Sequence, residues 1–235
     1  MSPPPLPFEK YAQMGAYHWR QCDRDSPAYN PPVEARYQIV RKRLRRVKRI
    51  LDIGCGDGYL LSLARDYGST VCGIDTELAA LQLAKTQLKP LDDCGLAQAS
   101  CYDLPFAAES FDMILLTDVF EHLADPDLCL KELCRVLTSR GTLLLTTPRW
   151  RADRMWDSLH FKEYTPEELQ DCLGRYFTHT HLAYFWPLAW SRKYSTRLGF
   201  QAIRIFSGYF FNPFLREGHR PERFGQMLAV CERAG

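Results

Sequence analysis

No stretch of this chain reaches the roughly 18 to 20 uninterrupted apolar residues that a membrane-spanning helix needs. The longest candidate, residues 182–190, is broken by Pro187, so a spanning helix is excluded. The opening MSPPPLPFEK lacks the basic start and apolar core of a secretory signal, which predicts a cytoplasmic chain. Also missing is any Cys-x-x-Cys pair: the nine cysteines are odd in number and scattered, so neither a disulfide framework nor a zinc knuckle is expected and the thiols read as reduced. There is no internal repeat, and no low-complexity tract beyond the Pro-rich start. Acidic residues are absent from 172–216, a 45-residue window.

What is present suits one compact domain with appendages: 235 residues, 46% apolar and 25% charged. The charge is unevenly spread, because residues 50–171 hold 21 of the 28 acids but only 10 of the 30 Lys and Arg. A central acidic unit is therefore bracketed by basic flanks. From Glu34 the run EARYQIVRKRLRRVKR puts Ile39, Val40, Leu44 and Val47 at helical spacing, predicting an amphipathic helix that leads into a sheet. RILDIG then reads as a strand ending in glycines, YLLSLARDYG as a helix closed by Gly68, TVCGID as a second strand and LAALQLAKTQL as a second helix. FDMILLTDV and TLLLTTP are continuous apolar strands on either side of the helical DPDLCLKELCRVL. Strands alternating with helices of this length predict an α/β fold with a doubly wound, parallel sheet. The chain divides into an N-terminal arm or lid over 1–35, the alternating domain over 36–181, and a basic aromatic segment over 182–235 that belongs to the same unit as an accessory outside the alternating sheet.

In an open parallel sheet, ligands bind beyond the carboxyl ends of the strands, where strand order reverses. The first strand ends in LDIGCGDG, whose Gly54, Gly56 and Gly58 permit a tight turn and close backbone approach to a nucleotide-like ligand. Asp75, 21 residues after Gly54, ends the second strand. It is placed either to accept hydrogen bonds from ribose hydroxyls or to cap the next helix. The dinucleotide fingerprint wants another glycine where Tyr59 stands, which disfavours pyrophosphate and leaves a ligand with a ribose but no phosphates.

LDIGCGDG, GID, CYDLPF, FDMILLTDVFEHLADP, KELCRVLTSRGTLLLTTP and HFKEYTPEEL, in that order, resemble the class I S-adenosylmethionine-dependent methyltransferases. The likeness is to the type 11 small-molecule group that includes the ubiquinone-biosynthesis O-methyltransferases, and it covers residues 36–176. It implies a Rossmann-like, mainly parallel seven-stranded sheet with helices on both faces, S-adenosylmethionine as cofactor and S-adenosylhomocysteine as product. By the resemblance, Asp52 and the loop Gly54, Cys55, Gly56, Asp57 and Gly58 hold the methionine part. Asp75, with Thr76 beside it, meets the ribose. Asp103 and the Tyr102 backbone meet the adenine amino group, and Leu104 and Phe106 supply an apolar slot for the ring. Thr117 and Asp118 lie beneath the sulfonium, a cation that carboxylates and carbonyl dipoles stabilise.

Methyl transfer of this kind gains mostly from alignment, and a general base is optional. The candidates are His122, Glu121, His160 and the arm residue His18, with Asp118 as a further one; histidine is the commonest proton carrier near neutral pH. Each also has a plain structural role open to it: opening a helix, supporting the cofactor or filling a turn. Tyr17 and Trp19 share the arm that is expected to close over the cofactor. Asp118-x-x-Glu121-His122 resembles a divalent-metal element of some relatives, but those carry Glu where this chain has the shorter Asp118, and no metal is expected. Thr165-Pro166-Glu167-Glu168 reads as a capping box.

Seven bases within residues 41–49 are either a phosphate-binding stripe or a solvated helix face. In the last segment, Trp186, Trp190, Tyr194, Phe200, Phe206, Phe210, Phe211 and Phe214 alternate with Arg192, Lys193, Arg197 and Arg204. They either pack on the sheet as extra strands and cap the substrate pocket or make a peripheral membrane contact, and the two roles are compatible. The reading is a methyltransferase for a small or lipophilic acceptor, O-methylation preferred. Its alternatives are an RNA methyltransferase and a non-catalytic S-adenosylmethionine-binding partner protein. The oligomeric state is not legible.

Overall fold

The computed structural model describes residues 10–88, 94–154 and 157–233. The Pro-rich opening, the first part of the expected arm, lies outside the described residues. The remainder of the arm is helical: α1 (Lys10–Met14), α2 (Tyr17–Cys22) and α3 (Pro31–Arg41). The predicted amphipathic helix is thus shorter and starts earlier than its periodicity suggests. It stops at Arg41, and Val47 already belongs to β1 (Val47–Ile53). Prolines at its first turn favour that start. The basic run therefore spans a turn and a strand end, and two of its seven bases meet acids: Arg43 pairs with Glu217, and Arg45, which also bonds Thr142, reaches Glu232 at 3.7 Å.

The alternation follows as expected: α4 (Tyr59–Ala64), β2 (Gly68–Asp75), α5 (Leu78–Gln87), β3 (Cys94–Gln98), β4 (Phe111–Thr117), α6 (Pro126–Val136), β5 (Leu137–Pro148) and α7 (Pro166–Gly174). Gly68 begins β2 rather than ending a helix. The capping box at α7 is formed on both sides, Thr165 Oγ1 accepting from Glu168 N and Glu168 Oε2 from Thr165 N. Beyond it lie β6 (His179–Pro187), α8 (Leu188–Tyr194), α9 (Arg197–Tyr209), β7 (Glu217–Gly218) and β8 (Phe224–Glu232).

The sheet runs β3-β2-β1-β4-β5-β8-β6-β7. β1 to β5 are parallel, whereas β8 inserts antiparallel between β5 and β6. This is the α/β fold expected, with eight strands in place of seven. The additional one is the two-residue β7, which pairs with β6 through Tyr184 and Phe185 at the sheet edge. The basic aromatic segment supplies strands to the sheet, as one of its two readings held, and they pair antiparallel, outside the parallel alternation that precedes them.

Side chains of the central strands alternate between two cores with period two. Leu51, Ile53, Ile114, Leu116, Leu143 and Leu145 face α6 and α7, against Leu130, Leu133, Leu169 and Leu173. Ile50, Met113, Leu115, Leu144 and Leu228 face the other way, against Ile39 and Val40 of α3 and Leu60, Leu61 and Ala84. Burial on both faces is why these strands read as continuous apolar runs. At their carboxyl ends the same strands carry Asp52, Asp75 and Thr117.

Candidate functional site

Strand order reverses between β1 and β4, and a cavity of about 950 Å³ opens there. That volume is at the upper end for a ligand site and accommodates a cofactor beside an acceptor. Asp52, Gly54, Cys55, Asp75, Thr76, Tyr102, Thr117, Asp118, Glu121, His122, His160 and His18, all picked from sequence, line it. Gly56, Asp57, Gly58, Asp103 and Leu104 do not.

The glycine turn explains part of that division. Gly54 takes φ +70°, and a Cβ there would meet Val119 Cγ2 at 2.5 Å; at Gly56 it would strike the Tyr11 hydroxyl. The loop is thus covered by the arm rather than open to a ligand along its whole length. Asp57 is buried and faces the arm: its carboxylate accepts from His18 N at 2.9 Å and contacts His18 Nδ1 at 3.1 Å, while its carbonyl accepts from Trp19 Nε1 at 2.8 Å. Gly58 packs on Leu88 and Ala84. The arm is latched shut, and Lys10, Tyr11, Tyr17 and His18 form one wall of the cavity.

On the opposite side, Asp103 is exposed in a bridge with Ser100, and Leu104 is buried in the core with its N–H donating to Glu132 at 2.9 Å. Ala99, Ser100, Cys101 and Tyr102, just before them, line the cavity. Phe106 packs edge-on to Phe111.

The donor set fits a cationic, ribose-bearing ligand. Among the described residues, Asp52 Oδ2 and Thr117 Oγ1 are buried with no hydrogen-bond partner. Such groups are costly unless a ligand satisfies them. Burial, reinforced by Asp75, pushes the Asp52 carboxyl well above the usual range, a penalty that a neighbouring cation relieves. Asp75 is oriented by Gly56 N and Glu77 N, each at 2.9 Å, so it both braces the glycine loop and faces the cavity.

Asp118 sits at the end of β4 with φ +51°, an unusual conformation for a non-glycine residue. Its carboxylate is held by Thr146 Oγ1 at 2.8 Å and Arg36 Nε at 2.7 Å. Arg36, from α3, was not legible as a site residue, because nothing in its sequence neighbourhood marks it apart from other bases.

Glu121 and His122 lie in a single 3₁₀ turn, Phe120–His122. Glu121 is buried, its carboxyl raised by desolvation and then by Asp118, and it accepts from Thr147 Oγ1 at 2.9 Å. Its backbone carbonyl accepts from Phe161 N at 2.8 Å and Lys162 N at 3.2 Å, while His122 Nδ1 bonds the Leu159 carbonyl at 3.0 Å. These links staple the loop after β5 onto the turn after β4. They bring His160 to His122, ring centroids 4.9 Å apart. A carbonyl only accepts, so His122 Nδ1 carries the proton and the neutral ring presents Nε2 as acceptor. Burial lowers the His122 pKa, which keeps the ring neutral near pH 7. His160 Nδ1 is fixed at 2.9 Å from Glu163, itself gripped by Arg154 at 2.6 and 2.8 Å.

Ligand atoms of Glu121, His122 and His160 lie within 4.8 Å of one another. Two imidazoles and a carboxylate are a donor set that suits a divalent ion. Asp118, the first position of the sequence element, is turned instead to Arg36 and Thr146. The far end of the cavity is walled by Leu159, Phe161, Trp186, Leu188 and Gln226. Arg151 and Arg154 also border it.

A family model described as a methyltransferase domain matches residues 51–145, from β1 into β5. A ubiquinone biosynthesis O-methyltransferase of Histophilus somni is 27% identical over 167 residues, which cover 65% of this chain and 66% of that protein. One from Azorhizobium caulinodans is 27% identical over 209 residues, covering 72% and 79%. Among solved structures, a Haloferax volcanii methyltransferase, in complex with the Trm112 methyltransferase activator, superposes with a TM-score of 0.69 at 19% identity over the whole of both chains. At that identity the likeness is one of fold. The matched segment carries the glycine turn, Asp75, Tyr102 and the Asp118 to His122 turn, the residues that the geometry gathers round the cavity, and this segment is a methyltransferase domain similar to those of the class I S-adenosylmethionine-dependent enzymes.

Proposed function

We propose that the chain moves the methyl group of S-adenosylmethionine onto a hydroxyl oxygen of a small, lipophilic acceptor, with His122 as general base. The observation that carries this reading is the His122 ring itself: half-buried, its Nδ1 proton committed to Leu159, and lining the same cavity as Asp52 and Asp75. The cofactor supplies a methyl group made electrophilic by its sulfonium. Asp75 and Thr76 would hold the ribose, Asp52 and Thr117 the polar groups of the methionine part. The Arg36 contact with Asp118 fixes the strand end next to them. The latched arm excludes water, and the staple between the two loops sets His122 and His160 in place, so alignment is built before the acceptor arrives. His122 Nε2 would take the acceptor's hydroxyl proton as the oxygen attacks.

An oxygen acceptor is supported by the names of the ubiquinone relatives, and a lipophilic one by the Leu159, Phe161, Trp186 and Leu188 wall. A second reading is favoured by the clustered ligand atoms: a divalent ion on Glu121, His122 and His160 would assist loss of the hydroxyl proton.

The test begins with thermal shift by S-adenosylhomocysteine against an NADH control. A selective rise is expected, and no rise would refute binding of the cofactor by this chain alone. Methyl transfer to a prenylated catechol is then measured for His122→Asn. The expected result is S-adenosylhomocysteine affinity within about twofold of the parent and a rate about 10² to 10⁴ lower. An undiminished rate would remove the base from the mechanism. Loss of transfer on chelation, restored by a divalent ion, would move the second reading to the front.

A further inference from the structure

Helix α9 is amphipathic in the reverse sense for a globular domain. Ile203 and Ser207 are its buried residues, and Ile203 packs with Ala35 and Phe214 beneath it. At 3.6 residues per turn, positions 198, 202, 205 and 209 form a stripe on the side opposite 203 and 207. That stripe is Leu198, Ala202, Ile205 and Tyr209, with Leu198 80%, Ile205 62% and Tyr209 83% exposed. Phe210 and Phe211, which follow directly, are 72% and 59% exposed. Large apolar side chains thus point straight away from the body of the protein along a helix and its end, where a monomer surface seldom keeps a contiguous apolar patch.

The charge carried by α8 and α9 themselves has one sign, Asp153 being an acid of another segment that interacts with Arg192. Arg197 and Arg204, seven residues apart, form the adjoining stripe, and Arg192 and Lys193 end the preceding α8. No acidic residue occurs anywhere in 172–216. A second copy seated on this face through a two-fold contact would set these cations against their own equivalents. A surface that is apolar within and anionic at its boundary meets both properties at once, and that is the phospholipid interface, in which such a helix lies flat with its apolar side sunk among the acyl chains.

We infer that α9 and residues 209–211 are an interfacial element that docks the protein on an anionic phospholipid surface. The position matters for the reaction. α8 packs on α9, and its Leu188 and Ser191, with Trp186 of β6, line the cavity, where the proposed function puts the acceptor. Docking brings that end to the lipid surface, where a lipophilic acceptor is concentrated. This last step rests on the proposed methyl transfer, whereas docking itself needs no turnover.

The experiment is flotation of the full chain with phosphatidylcholine vesicles made with and without phosphatidylglycerol. The expected result is partition onto the anionic vesicles only, weakened by added salt. Ile205→Asp combined with Phe210→Asp should reduce it at least tenfold, and Arg192→Ala, Lys193→Ala and Arg197→Ala together on the order of a hundredfold. Both variants should keep S-adenosylhomocysteine affinity within about twofold, which shows an intact fold. Equal partition onto both vesicle types overturns the inference, as does undiminished flotation of the Asp variant. It is also overturned if the parent is a dimer that the Asp variant renders monomeric, since a second copy then covers the face. Vesicle binding by a chain that fails to bind S-adenosylhomocysteine would leave docking standing and remove the proposed function.

Discussion

Replacing Asp57 with alanine cuts the two side-chain contacts that tie the arm to the glycine loop, at 2.9 Å to the His18 amide and 3.1 Å to its ring. Hydrogen bonds to a charged group contribute about 1.5 to 3 kcal/mol each. The amide bond is well formed and the ring bond longer, so a combined loss of about 3 kcal/mol is the reasoned figure. The Trp19 bond to the Asp57 carbonyl at 2.8 Å survives the substitution, which is why the arm should loosen rather than detach. Every 1.4 kcal/mol is a factor of ten, so the open population of the arm rises about a hundredfold. Hydrogen exchange reads this directly, since an amide that exchanges only on opening speeds up in proportion to that population. The expected outcome is exchange about a hundredfold faster in residues 10–22, with β5 unchanged. Asp57→Asn, which keeps one acceptor oxygen, should fall between, at about tenfold. Acceleration under about threefold in the arm, or equal acceleration in arm and β5, would refute the latch.

Asp75→Ala should weaken S-adenosylhomocysteine binding by more than tenfold, measured by calorimetry, because it removes both the ribose acceptor and the brace on Gly56 N; unchanged affinity in a folded variant would rule out the ribose assignment. Glu163→Gln releases His160 and Arg154 from their shared carboxylate. Transfer rate should fall at least tenfold through misalignment with S-adenosylhomocysteine affinity unchanged, and equal loss of both would mean a purely structural role.

The glycine turn, Asp75 and the Asp118 to His122 turn were legible because each is a short, contiguous signal placed by chain order at the end of an apolar strand. Asp57 looked like its glycine neighbours in that signal, yet its carboxylate is consumed by His18, 39 residues away. Asp103 and Leu104 looked like an adenine contact, but the backbone turns one side chain to solvent and the other into the core. The basic run looked helical because leucine and valine recur in it, and the strand pairing of Val47 with Gly68 overrode that spacing.

Chain order and the period of apolar residues were enough for the α/β class, the parallel core and the strand ends that carry the site, because those depend on local pattern and on how strands must connect. Contacts between remote segments made the rest: Arg36 on Asp118, the loop of His160 stapled to His122, the arm over Gly56, and β8 slotted between β5 and β6. Each depends on packing across tens of residues, which no local periodicity encodes. The outward face of α9 belongs to the same group, for the aromatics and bases of its segment are plain in the sequence, but which side chains point to solvent is set only by the side that Ile203 and Ser207 bury.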